Sequence, residues 1–167
     1  MLWSEVLSAF KAYAESGAAG PESMTSPEAN KAQSRRLYEE VFGRGNYHVA
    51  DQILAEHHVS NGPGTPPASG SASIKRQAQL LRTALPDLAV ELVDQLADGD
   101  RVASRWRATG THTGPLHLPG RSARPTGQPV CFEEIRIDRY HDERIAESWF
   151  IPDRMRLWQQ LGLVPLP

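Results

Sequence analysis

The last third of the chain sets the strongest constraint on the fold. From Val130 it reads VCFEEIRIDRYHDERIAESWFIPDRMRLWQQLG. Two strand-like runs, Val130–Tyr140 and Arg144–Ile151, flank the turn-like His141-Asp142-Glu143. After Pro152 the pattern changes from a period of two to a helical one. Alternate side chains of a strand share a face, which would place Ile145, Glu147, Trp149 and Ile151 together. Asp153 joins that face if the extended path continues through Pro152. A carboxylate beside a tryptophan at the end of an apolar strand face is a candidate general acid/base, because desolvation raises its pKa toward working pH. The plainer role for Asp153 is a helix N-cap, since Met155, Leu157 and Trp158 follow at helical spacing.

Upstream, helices come first and strands later, which predicts α+β and no alternating βαβ sheet. Ser26-Pro27-Glu28 reads as an N-cap, a first-turn proline and an acidic first turn. That helix is expected to run through Tyr38 and Phe42 and stop at Gly43-Arg44-Gly45. Asn46 would cap a short helix to about Leu54, and Ser73 another to Leu85. Strands are predicted over Leu88–Ala97 and Arg101–Thr111, joined by the tight turn Asp98-Gly99-Asp100. Gly62–Gly70 and Thr113–Gln128 read as loops. The organisation is a helical extension over 1–25 and one domain over 26–167. The apolar stripe Leu2, Trp3, Val6, Leu7, Phe10 of the extension needs a cover, either the body of the domain or another subunit.

Several segments in order resemble the SnoaL-like polyketide cyclase ("ester cyclase") family, within the nuclear-transport-factor-2-like or ketosteroid-isomerase-like superfamily. They are FGRGNYHVADQIL, LRTALPDLAVELVDQLADGDRVASRWRATGTHTG, PTGQPV, RIAESW with Asp153, and the closing LWQQLG. The resemblance implies a cone-shaped α+β barrel, a curved mixed sheet with helices around an apolar cavity. It implies an acid/base aspartate at Asp153, an intramolecular aldol closure of the antibiotic-biosynthesis type, no metal or organic cofactor, and a homodimer through the convex sheet face. Where relatives carry a His-Asp or His-Asn pair, this chain reads His58-Val59-Ser60-Asn61.

The other candidate site residues are polar or aromatic groups near predicted element ends. His112, in Gly110-Thr111-His112-Thr113-Gly114, could serve as a second acid/base group or simply satisfy a turn. Trp106 and Trp149 could shape a cavity or pack in the core. His58, Asn61, Tyr38 and Glu147 complete the substrate-binding candidates. Arg105 and Arg107 lie opposite Trp106, and an Arg–Glu pair with the next strand would explain them. Glu134 facing inward with Arg136 is the alternative of more interest, and the sequence does not fix which face is inward.

Composition narrows the rest. The formal net charge is −2 and basic residues alternate with acidic ones, so no nucleic-acid stripe or membrane-binding patch appears. No phosphate-cradling loop, dinucleotide fingerprint or nucleophile elbow is present. The ligand expected is a small molecule. The lone Cys131 excludes an internal disulfide framework and, with no apolar run of spanning length and no secretory signal, points to the cytoplasm. The functional expectation is a cofactor-independent cyclase or isomerase acting on an apolar, carbonyl-rich molecule. An epoxide-hydrolase-like or hydroxylase-like enzyme, or a non-catalytic binding module, stands as the alternative.

Overall fold

The computed structural model describes residues 26–64, 66–118 and 121–165. The expected N-terminal extension lies outside them. Helix α1, Pro27–Arg36, starts where the sequence indicates: Ser26 Oγ accepts from the Ala29 amide at 3.2 Å. It continues as a wider π-helical segment over Leu37–Gly43. Helix α2, His48–Ile53, leads into strand β1, Leu54–Asn61. The Gly/Pro-rich stretch holds one short strand, β2, Ala68–Ser69. Helix α3 spans Ser71–Ala84, starting two residues before the expected cap, and Ser73 Oγ donates to the Gly70 carbonyl. Strands β3, Ala89–Asp98, and β4, Arg101–Thr111, follow. Then come β5, Leu116–Leu118, β6, Arg121–Ala123, β7, Pro129–His141, β8, Arg144–Pro152, and helix α4, Arg154–Gln160.

Six strands form one mixed sheet in the order β2-β1-β8-β7-β4-β3, with β1 and β8 parallel and the other pairs antiparallel. The fold is α+β, as the order of patterns predicts. Helices cover one face. Leu37, Val41, Ile53 and Ile74 pack there against Val102, Trp106, Tyr140 and Ile145 of the sheet. A second apolar cluster joins Leu85 and Leu88 to Phe132, Leu157 and Leu161. Each fully buried side chain of this size contributes roughly 1.5–3 kcal/mol.

Two irregularities change which residues face inward. The β3/β4 register shifts at Val93 and the β7/β8 register shifts at Ala146. The second shift breaks the alternation expected for β8. Ile145, Ser148 and Phe150 are buried, whereas Ile151 is exposed. Ile145 therefore does not share the face of Glu147, Trp149 and Ile151. Those three lie on the sheet side away from the helices.

The Thr113–Gln128 stretch is more ordered than the expected loop. It carries the β5/β6 hairpin, whose Leu116 and Ala123 are buried in the second cluster. Its base crosses the end of α3, where the Thr113 and Gly114 amides both donate to the Ala84 carbonyl at 3.1 Å. A Cβ on Gly114 would stand 1.9 Å from the Thr83 carbonyl oxygen, so only glycine fits this crossing.

Asp142 and Glu143 connect β7 to β8 with φ of 47° and 63°. Two left-handed residues between paired strands make a type I′ turn, which favours Asn-Gly. Neither residue is glycine, so the hairpin carries backbone strain. We expect Glu143→Gly to stabilise the protein by about 0.5–1 kcal/mol, read as a rise of a few degrees in melting temperature. An unchanged or lower melting temperature would show that the turn is not strained.

Candidate functional site

A pocket opens where the two apolar clusters meet. Its enclosed part is small, with about 20 Å³ open to the centre of a water molecule, and the space between atoms counted out through the open mouth is about 350 Å³. Phe42, Leu81 and Leu88 line it from the helical side, and Val90, Ala108 and Phe132 from the sheet. Three polar side chains complete the wall: Tyr38, Trp106 and Glu134. Trp106 and Glu134 are register partners on β4 and β7, so their side chains share the inner face. Tyr38, on the π-helical segment, stacks on Trp106 with ring centroids 4.1 Å apart and 14° between planes. Its hydroxyl donates to the Glu134 carboxylate.

Glu134 is half-buried among these rings. Burial pushes its carboxyl pKa up, partly offset by the Arg136 charge and the Tyr38 hydrogen bond. Burial, and then the Glu134 charge, also raises the Tyr38 hydroxyl well above its ordinary value. Near neutral pH the tyrosine is therefore a proton donor to a carboxylate whose basicity is enhanced.

Below the pocket lies a buried polar network. Arg136 and Asp138, both 1% exposed, form an ion pair of 2.7 Å. Asp138 Oδ1 also accepts from Ser148 Oγ at 2.7 Å, and Oδ2 from Ser34 Oγ at 2.9 Å. Arg136 Nη2 donates to Ser148 Oγ at 2.8 Å. His58 Nε2 lies 3.0 Å from the same hydroxyl. Ser148 has one hydrogen, and it goes to Asp138, so His58 must donate through Nε2. This leaves His58 neutral with Nδ1 as a buried acceptor that has no partner. The guanidinium carbon of Arg136 stands 5.9 Å from the ring centroids of Tyr38 and Phe150. The network thus fixes the strand segment that carries Glu134.

The structure distributes the sequence candidates unevenly. Trp106 and Tyr38 line the pocket, and His58 is buried in the network beneath it. Asp153 is exposed, and its carboxylate accepts from the Arg156 amide at 2.9 Å as the N-cap of α4. Strand β8 runs through Pro152, which pairs with Glu134, and Asp153 follows it as the cap of α4, outside the pocket lining. Trp149 and Glu147 follow the bulged phase of β8 to the opposite side of the sheet, where Glu147 pairs with Arg139 at 2.8 Å. Asn61 donates to Glu147 and to the Ser148 carbonyl at 3.3 and 3.2 Å. His112 pins the base of the 113–128 loop: its carbonyl accepts from Thr126 and Gly127, and its Nδ1 lies 3.1 Å from Thr126 Oγ1. Burial lowers its pKa. Glu134 takes the inward position that the sequence leaves open. Glu133 points outward to Arg105 and Arg107 at 3.3 and 3.1 Å. Among the described residues no group of three or more His, Cys, Asp and Glu could hold a metal ion.

The network carries a pH signature. Burial first, then the Arg136 charge, pushes His58 from 6.5 down to about 4, while Asp138 opposes this. The unfolded chain takes up this proton as pH falls below 6.5, and the native state does so only near 4. Stability is therefore full above 6.5 and declines between these values, by about 3 kcal/mol if the whole shift is realised. In urea unfolding, His58→Gln should flatten this decline. Parallel pH profiles for the two proteins would overturn the assignment.

The SnoaL-like polyketide cyclase family matches residues 32–161. No curated protein sequence matches the chain. AclR, a candidate hydroxylase from Streptomyces galilaeus, is 26% identical over 85% of this chain and 87% of its own, with a TM-score of 0.73. A candidate polyketide cyclase from Acidithiobacillus ferrooxidans is 27% identical over 84% and 98%, with a TM-score of 0.69. IdmH, a candidate polyketide cyclase from Streptomyces antibioticus, is 28% identical over 80% and 98%, with a TM-score of 0.68. The curved sheet, the pocket between helices and sheet, and the match over most of its length place this chain in the SnoaL-like polyketide cyclase family.

Proposed function

We propose that the protein is a cofactor-independent cyclase or isomerase whose acid/base group is Glu134. The observation that carries this reading is a carboxylate of raised pKa on an otherwise apolar wall, held by the Tyr38 hydroxyl. Family membership supports the reaction class. The expected substrate is small, mostly apolar and carbonyl-bearing, of the polyketide type. Glu134 removes a proton from the carbon next to the carbonyl. The C–H electron pair becomes the C=C bond of an enolate, and the carbonyl π pair moves to oxygen. The enolate carbon then attacks an internal carbonyl in an aldol closure, or is reprotonated elsewhere in an isomerisation. Glu134 returns the proton. General acid/base catalysis of this kind contributes roughly 10²–10⁴-fold.

This assigns the acid/base role to the pocket carboxylate and leaves Asp153 as the cap of α4. The two roles are separable with 2-indanone, a flat ketone with acidic α-protons, by following deuterium uptake from D₂O. Glu134→Gln should reduce protein-catalysed exchange by at least about 100-fold. Asp153→Asn should retain it. The reverse pattern would return the role to Asp153.

A homodimer through the outer sheet face belongs to the same reading. Leu96, Ile135 and Ile151, 68%, 54% and 52% exposed, lie on that face. Ala103, Ile137 and Trp149 connect them across the strand register. The flanking charges are paired within the chain, as Arg105 and Arg107 with Glu133 and Arg139 with Glu147. A face of paired charges around an apolar stripe suits a second copy of itself. Light scattering at micromolar concentration should give twice the chain mass, and Ile135→Glu should give the monomer. A monomeric wild-type protein would reject this assembly.

A further inference from the structure

We infer that the Trp106 indole N–H binds the substrate's reacting oxygen, so the site selects a neutral carbonyl with its oxygen at Trp106 and its α-carbon at Glu134. This inference rests on the reading of Glu134 as the base. It follows from counting hydrogen-bond capacity on the pocket wall. Tyr38, Trp106 and Glu134 are the polar side chains there. The single hydroxyl hydrogen of Tyr38 is committed to Glu134. Trp106 is 2% exposed and its Nε1 is buried with no partner. Indole nitrogen is a donor only. Buried donors are nearly always paired, so an unpaired one on a side chain that lines a pocket points to an acceptor from outside the chain.

Position supports the assignment. Trp106 and Glu134 are directly opposed across β4 and β7 on the inner face. The Tyr38 ring clamps Trp106 in a near-parallel stack while its hydroxyl holds Glu134. Base and donor are therefore fixed by the same residue. As the α-C–H bond breaks and its proton passes to Glu134, negative charge develops on the carbonyl oxygen. The Trp106 N–H, bonding that oxygen, stabilises the charge, and the Tyr38 stack holds the ring in place.

The same count gives the substrate's charge. Arg136, whose charge acts on Glu134, spends its Nε and Nη2 on Asp138 and Ser148, and no cation is among the residues that line the pocket. The wall offers a carboxylate and a neutral donor, which disfavours an anionic substrate. A ketone or ester fits, and a free carboxylic acid does not.

The test follows 2-indanone and its hydrocarbon analogue indane with ¹⁵N-labelled wild-type protein. The Trp106 indole N–H resonance, assigned by its absence in Trp106→Phe, should move downfield on adding 2-indanone and stay in place with indane. Trp106→Phe should lower deuterium exchange into 2-indanone at least about 10-fold while Glu134 stays in place. Equal exchange in wild type and Trp106→Phe, with Glu134→Gln inactive, would overturn the oxygen assignment alone. An indole resonance that responds equally to both compounds would also overturn it. No exchange above buffer in the wild type would overturn the reading of Glu134 and this inference with it. The shift is read on the wild-type fold, where the resonance can also be assigned through contacts with the stacked Tyr38 ring, so this test holds even if the variant is unstable.

Discussion

The Arg136–Asp138 ion pair is the interaction on which the rest of the structure depends. Both groups are removed from water on the inner face of β7, where an unpaired charge costs several kcal/mol. The cost is offset by polar groups recruited from neighbouring elements. Ser148 from β8 and Ser34 from α1 donate to Asp138, and His58 from β1 donates to Ser148. Three strands and a helix are thereby tied to one carboxylate. The pair fixes the helical layer at a set height above the sheet, and that height leaves space for a pocket two residues away at Glu134.

One strand thus serves both purposes. On β7, the inner positions Phe132, Glu134, Arg136 and Asp138 pass from apolar wall to pocket carboxylate to structural ion pair. The outer positions Glu133, Ile135 and Ile137 pass from paired charge to apolar stripe. Alternation alone lets neighbouring glutamates, Glu133 and Glu134, take unrelated environments. The outer one is held down in pKa, chiefly by Arg107, and the inner one is pushed up by burial. Two carboxylates adjacent in sequence are driven apart in acidity by the side of the sheet on which each falls.

Much of the fold was legible because periodicity, turn residues and caps agree with one another. Ser26 caps its helix, Asp98-Gly99-Asp100 turns between paired strands, and the last hairpin lies where the pattern puts it. The candidate site was less legible, for a specific reason. An alternation pattern gives two faces but not which is inward, and a single extra residue exchanges them. Ala146 makes that exchange within β8, so a face read through Ile145 leads outward at Trp149. Asp153 was drawn toward the site by its position after that strand, but Pro152 and the start of α4 give its carboxylate a backbone amide to satisfy. Trp106 and Tyr38 were legible as aromatics, but their stack depends on the π-helical widening at Leu37–Gly43, which no residue pattern announces. The inward choice for Glu134 rests on Asp138, Ser34 and Ser148, separated by more than a hundred positions at their extremes.

Helix α4 also closes the sheet chemically. Strand β8 ends at Pro152, opposite Glu134, while β7 extends back to Pro129. Beyond that point the β7 backbone would present open donors and acceptors to any passing strand. The Asp153 amide takes the Glu133 carbonyl at 2.7 Å, and the Gln160 side chain pairs with both the amide and the carbonyl of Cys131, at 2.7 and 2.8 Å. A side-chain amide thus imitates one residue of a missing strand. The sheet is terminated there by a group that cannot itself be extended, which protects this edge against edge-to-edge association.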